Sequence, residues 1–305
     1  MDLSIIIVNY HTTSLVVDCI KSIKEHTRKI SYEIIVIDNC SDKCFSSTIK
    51  SCFPLDDIKC IALSENLGFG KANNKGFEVA RGRYLLCLNP DTLLINNAVE
   101  ILFDFMEKHP AVGACGANLF DAEMNPTLSF KRLLPSVCWE FHVLTFHVFE
   151  KIKYAGNSEF NHTDTAMDVG YITGADLMMR KDVVDLTGGF HPDFFMYYEE
   201  TDLCKRIKAL GYRIMNVPQA KIQHLEGKSF VRAQSSKDIP KSILFSEEGR
   251  LIYYRRNVGK THTIVANCIY RLALIVNKLY FRLAGNDVWL MYHYRSKAVK
   301  QLLNK

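Results

Sequence analysis

No uncharged hydrophobic run in this chain reaches the roughly 20 residues that a membrane-spanning helix needs, so an integral membrane protein is not expected. No CxxC pair occurs among the ten cysteines, and with it the usual spacing of a structural zinc site is missing. Cys19, Cys87, Cys115 and Cys204 fall in apolar segments and read as buried, reduced thiols of a cytosolic protein. Met1-Asp2-Leu3-Ser4 has neither the cationic start nor the small-residue cleavage site of a signal peptide, so the expected location is the cytoplasm. Strong charge is also lacking. A net charge of +5 gives no case for a nucleic-acid partner, although it suits phosphate-bearing substrates or an anionic membrane surface. There is no internal repeat and no low-complexity tract.

What is present is an ordinary globular composition, 48% apolar and 23% charged, in 305 residues that can bury a large core. The first part alternates strand and helix signals. Leu3 to Val8, Glu33 to Ile37 and Tyr84 to Leu88 are continuous apolar runs, the pattern of strands buried on both faces. Between and after them, Val16, Ile20 and Ile23 repeat at helical spacing, Phe69 to Arg81 reads as a helix, and Ala98 to His109 is an amphipathic helix stopped by Pro110. This rhythm predicts a doubly wound, mostly parallel α/β sheet flanked by helices. Ligands bind such sheets beyond the carboxyl ends of the strands, which is where Asp38 and Asp91 fall.

From about residue 112 the segments become shorter and mixed. Polar stretches at 121–126 and 155–165 precede a turn at Thr173-Gly174-Ala175, then the aromatic run Phe194 to Tyr198 and a helix through Leu203, Ile207 and Leu210. The expected division is a domain over 1–240, with halves 1–110 and 111–240, and a helical C-terminal extension over 241–305. Within that extension Thr263 to Ala284 is strongly apolar, and Arg271, Lys278 and Arg282 share one helical face. A basic amphipathic helix on a membrane surface and a helix packed on the rest of the chain are both open. The chain is compatible with a monomer or an oligomer.

Several acids stand where chemistry would need them. Asp38, in Ile37-Asp38-Asn39, could accept hydrogen bonds from a base or a ribose, or could simply end its strand in an Asx turn. Asp91 follows Pro90, which stiffens the turn. A carboxylate fixed there could hold a divalent cation bound to a diphosphate, as Mg²⁺ favours one or two carboxylates plus phosphate oxygens. Glu199, Glu200 and Asp202 crowd a helix start, where the helix dipole alone would favour them. Crowding beside Phe194, Phe195, Tyr197 and Tyr198 would also raise a carboxyl pKa toward that of a general base. His224 could ligate the same metal, and Lys228 could neutralise phosphate.

In order along the chain stand SIIIVNYHTTSLVVDCIKSI, IIVIDNCSD, NLGFGKANNKG, LLCLNPDTLL, TGADLMMRK, GGFHPDFFMYYEETDLCKRIKALGYRI and HLEGKS. Together, over roughly residues 3 to 230, these resemble glycosyltransferase family 2, and within it the rhamnosyltransferase-like branch of bacterial polysaccharide enzymes. The resemblance implies a GT-A fold, an inverting mechanism, a dTDP- or UDP-sugar donor, Mg²⁺ or Mn²⁺, and a glycan or polyprenyl-diphosphate-linked saccharide acceptor in cell-surface polysaccharide biosynthesis. It implies donor contacts at Val8, Asn9, Tyr10, Asp38, Asn66, Gly68, Asn73, Asn74, Asn89 and Lys228, and an acceptor pocket at Gly174, Ala175 and Asp176. Asn89-Pro90-Asp91 matches the family's DxD element with Asn in place of the first acid. Asp91 then becomes the main metal ligand, with His224 nearby. Glu199-Glu200-Thr201-Asp202 matches the Glu-Asp-x-Asp element, with Glu200 at the position of the base and Glu199 the alternative. Glu in place of Asp there motivates a second reading, a sugar-nucleotide-binding module without catalysis. A nucleotidyltransferase is a third, against which stands the lack of a Gly-rich, basic N-terminal loop for a nucleoside triphosphate.

Overall fold

The computed structural model describes residues 1–41, 44–54, 58–225 and 238–303. It opens with β1 (Leu3–Asn9), α1 (Thr13–His26), β2 (Tyr32–Asp38), α2 (Phe45–Cys52), β3 (Ile58–Ala62), α3 (Phe69–Phe77) and β4 (Tyr84–Leu88). β3, β2, β1 and β4 lie side by side and parallel. Leu3, Ile5, Ile6 and Ile7 of β1 have no exposed surface. Complete burial is what a strand covered on both faces requires, and each such side chain contributes about 1.5–3 kcal/mol as an upper estimate. α1 turns Val16, Cys19, Ile20 and Ile23 onto one face of this sheet. α3 covers the other, and approaches so closely that a Cβ on Gly76 would lie 2.6 Å from the Ile6 side chain. The helix expected to run to Arg81 ends at Phe77. Glu33 draws the chain away, accepting hydrogen bonds from the Arg81 backbone N–H (2.7 Å) and from its Nε (3.0 Å).

Next come β5 (Thr92–Leu94), α4 (Ala98–Lys108), β6 (Val112–Phe120), β7 (Phe130–Lys131), α5 (Val137–Leu144), α6 (Val148–Lys153), β8 (Met167–Asp168), β9 (Tyr171–Ile172) and β10 (Asp176–Arg180). After them stand α7 (Lys181–Thr187), α8 (Glu199–Ala209) and β11 (Arg213–His224). The main sheet runs β3-β2-β1-β4-β10-β6-β11-β5, with β8 also on β11 and β7 paired to β9 apart from it. β10 enters antiparallel between β4 and β6, and β5 is antiparallel to β11. This register carries the functional consequence. Asp176 lies opposite Leu88, and His224 lies opposite Thr92. The start of β10 and the end of β11 are thereby brought to the edge where β1, β2 and β4 finish.

α9 (Lys241–Asn257), α10 (Lys260–Leu283) and α11 (Val288–Leu303) complete the chain. Tyr253 and Tyr254 of α9 are fully buried with Phe194. Two buried ion pairs tie these helices together: Arg250 to Glu140 of α5 at 2.9 Å, and Arg295 to Glu247 at 2.7 Å. Of the ten cysteines, all free, Cys19, Cys87, Cys115 and Cys204 are buried as expected, and burial pushes the Cys19 and Cys204 thiols up to about 12. Cys40, Cys44, Cys52, Cys138 and Cys268 are instead exposed, so burial is not the general state of the thiols.

Candidate active site

A cleft opens at the carboxyl ends of β1, β2 and β4. Of the residues expected to meet a donor, Val8, Tyr10, Asn66, Gly68 and Asn89 line it, together with Asp91, the expected metal ligand. Thr12, Asn39, Phe69 and Met196 line it as well and were not anticipated. Asn39 was legible, because it follows Asp38 at the same strand end. Met196 was not, because only the fold brings it here.

Asn9 and Asp38 are buried beneath this cleft and bind each other, Asn9 Nδ2 donating to Asp38 Oδ1 at 2.8 Å. Asn9 Oδ1 accepts from both the backbone N–H and the hydroxyl of Thr12. The pair therefore fixes the β1 and β2 ends. Asn39 bridges to the next wall, donating to Asn66 Oδ1 at 2.9 Å and accepting from the Leu67 N–H at 2.8 Å. Gly68 then turns the chain into α3 with φ +81 and ψ −178. That conformation belongs to glycine almost alone, and a Cβ there would collide with the Phe195 carbonyl oxygen. The Phe69 N–H donates to the same carbonyl at 3.0 Å, so the segment before α8 is clipped to the cleft wall.

Asp91 sits at the far wall, 3% exposed. Its Oδ1 is 3.3 Å from His224 Nε2, and the Asn89 amide approaches the same nitrogen at 3.4 Å. Among the described residues no three His, Cys, Asp or Glu side chains converge to hold a metal by themselves. A carboxylate on the cleft wall with an imidazole 3.3 Å from it does fit a cation that completes its shell with diphosphate oxygens and water. Lys228, the expected phosphate contact, lies outside the described residues.

Glu199 and Glu200 open α8. They are presented by Tyr197 and Tyr198, both held at φ +70, a strained geometry for non-glycine residues. Burial, reinforced by the charge of Glu200, holds the Glu199 carboxyl well above the usual carboxylate range. Glu199 is 4% exposed with one oxygen unpartnered, and its Cβ stands over Gly70 at the start of α3. Glu200 is half-buried, accepts a hydrogen bond from the Thr201 hydroxyl at 3.3 Å, and is pushed up by burial to about 7. It is the more accessible of the two, with the pKa a general base needs near neutrality.

The remaining expected site residues have other positions. Asp202 does not face the cleft. Its carboxylate is clamped by Arg206 Nε at 2.8 Å and by the Asn257 amide of α9 at 2.7 Å, so it joins α8 to α9. Two residues on from Glu200, Asp202 falls on roughly the opposite side of the helix, and the arginine four residues on draws it inward. Asn73 is also buried, donating to the Phe69 carbonyl within its own helix, and Asn74 clasps the backbone of Phe190. Gly174 packs against the Phe69 ring, and the Ala175 carbonyl accepts from the Asn89 N–H at 2.9 Å, so both support the cleft from behind. Asp176 has no exposed surface. Its one hydrogen bond comes from the Ala117 N–H, and burial holds its carboxyl well above the usual range. The strand pairing that delivers it to this edge also turns its side chain into the sheet.

The sequence profile of glycosyl transferase family 2 matches residues 4–183, more than half of the chain. The chain belongs to glycosyl transferase family 2. It is 24% identical over 224 residues to the amylovoran biosynthesis glycosyltransferase AmsE of Erwinia amylovora, covering 73% of this chain and 75% of that one. It is 22% identical over 192 residues to the N-acetylglucosaminyl-diphospho-decaprenol L-rhamnosyltransferase of Mycobacterium tuberculosis, a match of 59% of this chain and 62% of that protein. Among solved structures it is similar to the mannosyltransferase PcManGT of Pyrobaculum calidifontis in complex with GDP-Man and Mn²⁺. That likeness has a TM-score of 0.62 at 16% identity, over 99% of this chain and 87% of that one. GalNAc-T7 with UDP, GalNAc and Mn²⁺ gives a TM-score of 0.58 at 14% identity, over 83% of this chain and 47% of that one. The fold expected of a family 2 member, GT-A, is the fold observed.

Proposed function

We propose that this family 2 member is an inverting, metal-dependent glycosyltransferase acting in cell-surface polysaccharide biosynthesis, with Glu200 as its base. The observation that carries this is the pairing of a cleft walled by Asp91, with His224 3.3 Å from its carboxylate, with a half-buried carboxyl pushed up to about 7 at the start of α8. The nucleoside diphosphate would lie along Tyr10, Asn39, Asn66 and Gly68. Asp91 and His224, with the Asn89 amide beside them, would hold Mg²⁺ or Mn²⁺. When bound, that cation would offset charge on the departing diphosphate.

The reaction is a single displacement. Glu200 takes the proton of an acceptor hydroxyl, the freed oxygen bonds to the anomeric carbon, and the bond to the diphosphate oxygen breaks with its electron pair. Attack from the face opposite the leaving group inverts configuration. Burial and the charge of Glu200 both favour the neutral form of Glu199, which suits Glu200, the more accessible of the two, as the acting base. Likeness to the N-acetylglucosaminyl-diphospho-decaprenol L-rhamnosyltransferase supports a rhamnose donor, taken here as dTDP-rhamnose, and a polyprenyl-diphosphate-linked saccharide acceptor. A UDP-sugar donor is the alternative, in keeping with the UDP bound to GalNAc-T7. A thermal-shift screen of dTDP, UDP, GDP and their sugars with Mn²⁺ tests the donor assignment. A true donor at a hundredfold excess over its dissociation constant adds about 2.7 kcal/mol. No stabilisation by any of them would overturn the proposal.

A further inference from the structure

Charge is segregated along this chain. Residues 260–305 carry eight Lys and Arg and one acid, Asp287, so the remainder of a chain of net charge +5 is slightly acidic. α10 itself contains no acid. One of its faces belongs to the protein: Ala266, Tyr270, Ala273, Leu274 and Asn277 are buried there. Asn277 donates to the Val143 carbonyl of α5 at 3.1 Å, and the Tyr270 hydroxyl donates to Glu247 of α9 at 2.5 Å.

A second face has no such cover. Val265, Leu272, Ile275, Leu279 and Leu283 are 43, 50, 57, 55 and 88% exposed. At helical spacing they form one stripe along the whole helix, and Arg271, Lys278 and Arg282 run along one margin of it. The turn between α5 and α6 adjoins this region, with the Phe146 ring 4.8 Å from that of Tyr280. α6 adds Phe149 and Ile152, 54 and 73% exposed, with Lys151 and Lys153. Soluble proteins seldom leave so long an apolar stripe to water, and one edged by cations is the pattern of a helix lying in a bilayer interface.

We propose that this face of α10 docks the protein on an anionic lipid bilayer. The helix is long and apolar enough to cross a membrane by length and composition. Its polar anchors, Asn277 and Tyr270, instead commit the opposite face to α5 and α9, so the helix lies along the surface. A second copy of the chain suits the stripe poorly, because it would set acid-free, cationic margins against each other with no counter-charge. The apolar side chains enter the acyl boundary, and the cations meet lipid phosphates within a Debye length of the surface.

Flotation of the full-length protein on vesicles tests it. The protein is expected to float with phosphatidylglycerol–phosphatidylcholine vesicles, to float at least tenfold less with phosphatidylcholine alone, and to be released by high salt. The outward-facing triple substitution Leu272→Glu, Ile275→Glu, Leu279→Glu should abolish flotation with the unfolding midpoint unchanged, and Arg271→Glu should weaken it on the anionic vesicles only. Failure of the unaltered protein to float on either vesicle overturns the proposal. So does flotation of the triple variant at the original level, or light scattering that shows a dimer which the same triple substitution dissolves.

Discussion

His224 Nε2 stands 3.3 Å from Asp91 Oδ1, joining the end of β11 to the turn after β4. The two are far apart in sequence, and the antiparallel pairing of His224 with Thr92 sets the approach. Asp91→Ala is expected to lower sugar transfer about 10²–10³-fold, the scale on which one charge-stabilising group acts. Mn²⁺ should then no longer strengthen nucleoside-diphosphate binding measured by calorimetry. His224→Ala should weaken that Mn²⁺ effect without removing it. Equal Mn²⁺ enhancement in the original protein and both variants would contradict the assignment.

Glu200 sets a pH dependence. As the base it must be ionised, and burial places its carboxyl at about 7. kcat/KM should therefore fall as pH drops below about 7 and level off above it. Glu200→Gln should lose about 10²–10⁴-fold in kcat, the usual worth of a positioned base, and should lose the limb itself. Glu199→Gln replaces a carboxyl that burial keeps largely neutral and should leave a functional base, so retention of the limb in this variant separates the two roles.

Gly68 is a conformational requirement. Its backbone geometry and the Phe195 carbonyl beside it leave no room for a Cβ. Gly68→Ala is expected to cost about 1–3 kcal/mol in denaturant unfolding from strain alone. Donor affinity should drop too, because the substitution pushes the cleft wall away from the segment before α8.

The seating of α8 depends on α9. A Cβ on Gly249 would lie 2.5 Å from the Tyr197 carbonyl oxygen, and Asp202 is held by both Arg206 and Asn257. Asp202→Ala leaves buried partners unmatched and should destabilise by about 3 kcal/mol. Gly249→Leu should displace the Tyr197–Tyr198 turn, lowering kcat with donor binding by calorimetry little changed. A variant with both quantities intact would show that α9 does not position the acids.

Asp176 gives a stability effect of defined sign. Its folded-state pKa is raised by burial, so the folded protein favours the protonated carboxyl. Its contribution is therefore lost as pH rises from the ordinary carboxylate range upward. Asp176→Asn keeps an acceptor for the Ala117 N–H and removes that titration. The variant should unfold at a higher temperature than the original protein at pH 8, with the gap closing toward pH 4.

Much of this was legible in the sequence, and for a physical reason. Short, β-branched apolar runs such as Glu33 to Ile37 and the apolar run Tyr84 to Leu88 read as strands covered on both sides, and their ends then locate Asp38 and Asp91. Side-chain direction was less legible. Asp202 and Asn73 sit within motif stretches, but helical phase points one toward α9 and the other back at its own helix. Met196 and Gly249 reach the site through tertiary packing alone, and no local pattern marks such residues.

Release of nucleoside diphosphate tests the central claim most directly. Purified protein with Mn²⁺ and a membrane extract as acceptor is offered UDP-, dTDP- and GDP-sugars in turn, beside Asp91→Ala and Glu200→Gln. Acceptor-dependent release from one donor class is expected of the original protein, reduced at least a hundredfold in both variants. Release from none of the donors, or release at the original rate by either variant, would contradict the claim.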